Sequence, residues 1–507
     1  MGNRTRRSCY EIATNREDIC FFCLNLIAMS KITILHISDI HKVDDVNYQS
    51  LLESLKRDTL NWRNEHIPMP QFIVISGDLI QGAKTDSEIK TQYREVRDFL
   101  DNLVKLLLGG EKKRLIMVPG NHDVNRARSI QSMILSTKHI DDNIKDYFSP
   151  IMPDIRWNWH DQKFYKIDNA TIYNSRFELF AEFYNDFYQG DYIYPNDPIK
   201  EGVFIPFPDE KIGFACFNSN YKLDHLNISG SIDEDSITSI GPQLEEYYEK
   251  GYLLIGVWHH NYYGEPRMTN YMDKSVFAPM LSYHLRIGLY GHQHIAQVAE
   301  EYSNMEEPEE SRKRNKMLLI SSGTLFGFQK VLQPGQRRQY NIIEIEMGNG
   351  QADVAINTRE DNNPNPNTKI PLWQYKENRY SDDNKIHGRV FFKEIPIMNY
   401  IMEIDKRAKN NGNYEQACEE LIKLGLDKVE PRKFYDSYIQ MASGDYIKSQ
   451  HENLMSNEGY ILLCGVVIDD KDKVMAKKLL ADKKLIEIKQ QDAVLGEMYK
   501  ELEELLN

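Results

Sequence analysis

The chain has 507 residues, a formal net charge of −14 and six cysteines. That length exceeds what one hydrophobic core organises, so two or three domains are expected. The acidic balance disfavours an extended nucleic-acid surface, whose affinity rests on Lys and Arg, and no apolar stretch reaches the length of a membrane span. Cys20-x-x-Cys23 lacks a second Cys or His pair, so it does not make a zinc site. The sparse cysteines fit reduced thiols and a cytoplasmic location.

Residues 1–28 read as an N-terminal extension, with Met29-Ser30-Lys31 standing directly before the first strand. Ile32 to Ile37 is a hydrophobic run that reads as a buried strand, and it leads into Asp39-Ile40-His41. A helix is expected from Asp44 to about Glu65. Phe72 to Ile75 is the next strand, followed by Gly77-Asp78. Thr85 to Leu108 carries Tyr93, Val96, Phe99, Leu100, Leu103 and Leu107 at helical spacing. Leu115 to Val118 is a third strand, ending in Gly120-Asn121-His122-Asp123. The aromatic-rich segment 124–208 is too long for a simple loop and reads as an inserted helical cap. Most of its rings should be core, with one or two left to stack on a base. Ile212 to Phe217 reads as a further core strand. Leu253 to Val257 precedes His259-His260, and Ile287 to Tyr290 precedes Gly291-His292-Gln293-His294. Asn- and Pro-rich residues 361–386 read as a linker. Beyond them, 387–507 reads as a helical C-terminal domain, with patterns at Met398–Lys409, Tyr414–Leu424, Pro431–Met441 and Val474–Leu506.

Five of these strands therefore end in Asp, Asn or His, the residue types that bind first-row divalent metals through oxygen and imidazole nitrogen. Ligands at the C-terminal ends of adjacent parallel strands converge on one crevice. Hydrolysing a phosphate ester requires neutralising an anion, making hydroxide at neutral pH and stabilising a leaving oxygen. Two ions sharing a carboxylate serve all three needs, so the set predicts a two-metal hydrolase.

In this order the five blocks resemble the calcineurin-like metallophosphoesterases, whose pattern is D-x-H, G-D, G-N-H-[DE], H, G-H-x-H. The resemblance runs from about Ile32 to about Ile345, through the strand-like Leu318–Gly323 and Tyr340–Ile345. It implies an α/β fold: a metallophosphoesterase β-sandwich flanked by helices, occupying 29–360. It also implies two divalent ions, manganese or iron first and zinc as the alternative. By resemblance Asp78 bridges them, Asp39, His41 and His294 complete one site, and Asn121, His292 and a histidine of the His259-His260 pair complete the other. His259 is preferred over His260. A hydroxide bridging the ions would attack phosphorus. His122 would assist the leaving oxygen as general acid, with Asp123 orienting its imidazole. His36 is expected to be a packed structural histidine. Gly230 to Tyr248 resembles the helix that precedes the histidine block in this family.

The phosphoprotein phosphatases that resemble this pattern carry Leu-Arg-Gly-Asn-His-Glu, and the Pro119 that stands here in place of that Arg counts against a phosphoprotein substrate. The spacing and the His-His block are most similar to the cyclic-nucleotide phosphodiesterase-like branch. The expected substrate is thus a small phosphodiester or nucleotide, with nucleic acid less favoured and no membrane partner. The alternatives are a nuclease of the same superfamily, or a scaffold that binds a protein partner through the C-terminal helices.

Overall fold

The structure, a computed structural model, describes residues 30–41, 47–137, 154–263, 270–302, 315–325, 332, 335–348, 350–363, 370–378, 381–393, 448, 457–490 and 492–506. The chain divides into two compact units, Met1–Lys393 and Glu394–Asn507.

The first unit is a sandwich of two sheets. In one, strands β1 (Ser30–Ile37), β2 (Phe72–Ile75) and β3 (Leu115–Met117) run parallel. On the other side of β1 lie, antiparallel in turn, β13 (Gln339–Gly348) and β14 (Gln351–Asp361). The second sheet has a parallel centre of β8 (Ile212–Cys216), β9 (Leu253–Val257), β10 (Leu285–Tyr290) and β12 (Lys316–Ser321). Its antiparallel edges are β7 (Val203–Phe207) and β11 (Gln297–Tyr302).

Parallel strands covered on both faces read as unbroken apolar runs, and the two faces of β1 show why. Ile32 and Ile34 enter the layer between the sheets, with Phe72, Val74, Phe214 and Ile255. Leu35 and Ile37, at the opposite parity, face the helical layer. That layer includes α1 (Tyr48–Asn64), α2 (Asp86–Leu108) and α3 (Glu178–Tyr188). On the outer face of the second sheet, Leu254, Leu285 and Leu319 pack with Leu244 of α5 (Gly241–Glu249) and Met280 of a helix at Phe277–Ser282. The expected sandwich flanked by helices is therefore present.

A buried charge cluster ties α1 to the first sheet. The Asp58 carboxylate accepts from Trp62 Nε1 at 3.0 Å, from Arg359 Nε at 3.0 Å and from the Tyr340 hydroxyl. Arg359 is wholly buried and also pairs with Glu65.

Four sequence-based expectations change. The segment 361–386 is not simply a linker: β15 (Trp373–Tyr375) and β16 (Ile386–Phe391) both pair with β14. Trp373 is buried against α1, donating its indole N–H to Ser54 Oγ at 3.0 Å. The second unit accordingly starts after β16, at Glu394 rather than at 387. The insertion 124–208 is not purely helical either. It holds a three-stranded antiparallel sheet of β4 (Met133–Leu135), β6 (Lys163–Ile167) and β5 (Ile155–Asn158); residues 138–153 lie outside the described set. Its rings are mostly core: Phe180, Phe183, Phe187 and Tyr188 are buried with α2, and Phe183 stacks on Tyr93 with centroids 4.8 Å apart. The helix expected across Gly230–Tyr248 is two pieces, α4 (Glu234–Ser239) and α5. Pro242 in the first turn of α5 marks the restart.

In the second unit, α6 (Asn457–Asp469) is followed by α7 (Lys473–Leu480), α8 (Lys483–Ile488) and α9 (Ala493–Leu506). The expected run Val474–Leu506 is thus broken twice. Asp482 and Asp492 stop it, because each side chain accepts backbone N–H groups at a new helix start. The other three expected C-terminal helices lie outside the described residues.

Candidate metal centre

Every candidate ligand follows the C-terminal end of a parallel strand: Asp39 and His41 after β1, Asp78 after β2, Asn121 after β3, His259 after β9, His292 and His294 after β10. The two sheets meet at these ends. Asp39 N–H donates to Gly77 O at 3.1 Å and Gly291 N–H to His259 O at 3.0 Å. His292 N–H crosses between sheets to Asp39 Oδ2 at 3.1 Å.

The approach leaves no room for side chains at the glycines. A Cβ on Gly120 would stand 2.1 Å from Asp78 Oδ1, and one on Gly291 would stand 1.9 Å from Ser38 Oγ. Asp39, Asp78, His292 and His294 have φ between 52° and 74°, the left-handed region that side chains disfavour. Such strain concentrates at functional sites.

The donor atoms form two groups around Asp78. Asp39 Oδ1 lies 3.2 Å from His294 Nε2, and the His41 ring sits 5.6 Å from that of His294. Both His41 ring nitrogens and Asp39 Oδ1 are buried without a hydrogen-bond partner. In the other group, His259 Nε2 is 3.0 Å from Asn121 Oδ1 and 3.4 Å from Asp78 Oδ2. His292 Nδ1 is 2.8 Å from Asn121 Oδ1 and 3.3 Å from His259 Nε2.

Hydrogen bonds separate the roles of His259 and His260. His259 Nδ1 donates to Ser76 O at 2.7 Å, which leaves Nε2 as the ring atom facing Asp78 and Asn121 and the one that a metal would take in exchange for a proton. Ser219 Oγ accepts N–H groups from both histidines, at 3.2 and 3.1 Å. Its own hydrogen must then go to His260 Nδ1, 2.9 Å away. That places the His260 proton on Nε2 and removes the lone pair a metal would need there. His259 Nε2 and His292 Nδ1 thus converge with an amide oxygen and a carboxylate oxygen inside a buried site. Facing such oxygens a ring nitrogen must carry a proton or share a cation, and oxygen and imidazole nitrogen together are the donor set of a first-row divalent ion. The residues fit a dinuclear divalent site.

Without a cation the site's own fields are strong. Burial lowers His41 and His292 to about 4. Burial would also lower His259, but the Asp78 carboxylate outweighs it and raises that imidazole to about 9. Burial would raise Asp39, yet the neighbouring His294 holds it below the usual carboxylate range.

His122 lies at the rim, half-buried, its ring stacked 4.8 Å from that of His41. Its backbone N–H donates to Asp78 Oδ1 at 2.8 Å, and its Nε2 is 4.0 Å from Asp78 Oδ2. The expectation that Asp123 orients this ring is corrected. His122 Nδ1 donates instead to the backbone oxygen of Gln81 at 2.8 Å. Asp123 is buried and accepts from Gly120 N at 2.8 Å, Leu79 N at 3.2 Å and the Tyr93 hydroxyl at 3.1 Å. It braces the loops, and burial, followed by the charge of Asp78, pushes its carboxyl up to about 7. His36 is structural as expected, buried and 3.0 Å from Ser76 Oγ through Nε2. Ser219 and Gln81 were not singled out from the sequence, and Tyr93 was read there only as a helix position. Ser219 alone carried a signal there, since Asn218-Ser219-Asn220 follows a core strand as the ligand blocks do.

A family model for calcineurin-like phosphoesterases matches residues 32–296, more than half of the 507-residue chain. The chain belongs to that family, and it is a metal-dependent phosphoesterase. No curated protein matches it. Among solved structures it is similar to a dimetal phosphatase from Danio rerio, with 15% identity, 64% of this chain and 95% of that chain covered, and a TM-score of 0.31. It is similar also to GAP50, the anchor in the inner membrane complex of Plasmodium, with 14% identity, coverage of 70% and 92%, and a TM-score of 0.31. For Vps29 from Entamoeba histolytica the values are 9%, 71% and 100%, with a TM-score of 0.24. Among the described residues no helix is long and apolar enough to cross a membrane.

Proposed function

We propose that the protein hydrolyses phosphodiester bonds in small nucleotide-type molecules. One site would be held by Asp39, His41 and His294, the other by Asn121, His259 and His292, with Asp78 shared. The observation that carries this reading is the buried convergence of carboxylate, amide and imidazole donor atoms on both sides of Asp78. All donors are oxygen or imidazole nitrogen, which suits manganese or iron, and zinc as the alternative. When bound, the ions supply charge neutralisation and an activated water.

The protein's own residues do the remainder. Asp39 and Asp78, both buried, would bring negative charge to the cations. With Nδ1–H committed to Gln81 O, His122 exchanges protons through Nε2, which faces the site. It delivers a proton from that atom to the departing alkoxide. Asp123 and Tyr93 hold the Gly120 loop that carries it.

The net charge of −14 favours a small substrate over a long polyanion. The cap's rings lend less support than the sequence suggested, since those named above are buried. Tyr263, exposed and directly after the His259-His260-Asn261-Tyr262 run, is the better candidate to meet a base. Buried free thiols at Cys216 and Cys464 support a reducing, cytoplasmic setting, and the C-terminal helices would serve a protein partner.

The test is a screen of manganese-reconstituted protein against cyclic and linear nucleotides, single-stranded and duplex DNA, and a phosphopeptide. Fastest turnover of a nucleotide supports the reading. Faster cleavage of DNA or of the phosphopeptide overturns it.

A further inference from the structure

The ring of His122 is oriented by a backbone carbonyl on an exposed loop, which by itself is a poor anchor. Gln81 is exposed, and its neighbour Gly82 has φ +78°, a conformation glycine reaches without cost and without rigidity. Something must hold the Gln81 oxygen still if His122 is to keep Nε2 aimed inward.

Helix α2 supplies that hold through one side chain. Gln92 Oε1 accepts the Gln81 N–H at 3.0 Å, and Gln92 Nε2 donates to Gly82 O at 3.2 Å. Both ends of one amide therefore grip successive residues of the loop. The next helix residue, Tyr93, grips the other site loop through Asp123. The helix is a sound base: it has 23 residues, a Thr85–Glu88 capping box, and nine buried residues on its core face. A site residue on a loop is only as well placed as the rigid element behind it.

We propose that Gln92 is a positioning residue for the reaction. Its amide fixes the Gln81 carbonyl, the carbonyl fixes the His122 ring, and the ring thereby presents Nε2 to the leaving oxygen. This rests on the reading of His122 as the proton donor given above.

A double-mutant cycle with manganese-loaded full-length protein tests it, using two aryl phosphodiesters, one with a nitrophenol and one with an unsubstituted phenol leaving group. Gln92→Met keeps the side chain's length and removes both hydrogen bonds. It should lower kcat for the phenol ester by about tenfold, the scale of a small misplacement. KM, metal content and thermal midpoint should stay near wild type, and the nitrophenol ester should lose less. In a His122→Ala background the same substitution should cost nothing further. Gln92→Glu, which can still accept from Gln81 N–H, should fall between, and it carries the test if Gln92→Met does not fold. An equal loss in both backgrounds would show a merely structural role and overturn the proposal, as would no loss from Gln92→Met. If His122→Ala itself leaves phenol-ester turnover intact, the reading of His122 fails and takes this inference with it. Loss from His122→Ala without loss from Gln92→Met sinks the inference alone.

Discussion

Replacing Asp78 by Asn removes one charge and leaves the shape. Asp78 lies between the two donor groups: Oδ1 accepts the His122 N–H at 2.8 Å, and Oδ2 faces His259 Nε2 at 3.4 Å. Asp39 is the other carboxylate among the candidate ligands, so the substitution halves their negative charge. Two unit charges about 4 Å apart interact by about 4 kcal/mol at an effective dielectric near 20. Each ~1.4 kcal/mol is tenfold in affinity, so even that single-charge equivalent weakens cation binding by about three orders of magnitude. The Asp78→Asn protein should emerge from gel filtration with at most one ion per chain. Its turnover of an aryl phosphodiester should fall by about a thousandfold or more. The fold should persist, because the sandwich is held by the apolar layers on both faces of each sheet rather than by this carboxylate. The assay is metal content by mass spectrometry beside initial rates and a circular-dichroism melt. Two bound ions with turnover within tenfold of wild type would refute the two-site reasoning.

Metal affinity should rise with pH. Burial opposes protonation of His259, but Asp78 raises its pKa to about 9 in the metal-free site, so a proton must leave when a cation binds. Affinity should climb from pH 6 towards pH 9, with proton release measurable by calorimetry in buffers of different ionisation enthalpy; a flat profile contradicts this. Asp58→Ala should destabilise the fold by about 3–5 kcal/mol, because it leaves the Arg359 guanidinium buried with Glu65 as its remaining charge partner. Urea unfolding measures it, and a loss under 1 kcal/mol would show that the cluster is not an anchor. Burial raises the Cys216 and Cys464 thiols to about 12. Neither should be alkylated by iodoacetamide in the native protein at pH 8, as read by peptide mass mapping.

The sequence was most legible where burial on both faces forces a run of apolar residues. β1, β2, β9 and β10 were each visible as such a run, and each run ended at a ligand block. It was least legible where strands are short and half exposed. In β16 only Val390 is buried, and β5 has no buried residue, so neither shows the alternation that marks a strand. The Asp residues at 482 and 492 did carry a signal, since Asp favours helix starts, but apolar periodicity across them concealed the breaks. The role given to Asp123 failed for a different reason. Adjacency in sequence to His122 says nothing of where the side chain points, and the partners of Asp123 come from Leu79, Gly120 and Tyr93.

The backbone at the ligands was also invisible in the residue string, and it bears on why those residues stand there. Asp39, Asp78, His292 and His294 all adopt positive φ, at a cost of about 1 kcal/mol or more each for a residue with a Cβ. If these positions served only to turn the chain, glycine would relieve that strain, as it does at Gly77 with φ 98° beside Asp78. Local conformation therefore argues against Asp and His at four of the seven candidate ligand positions, and metal-donor chemistry argues for them. Strain tolerated where the side chains converge on one buried point, and avoided by glycine one residue away, is what selection for a cation site produces rather than selection for stability alone.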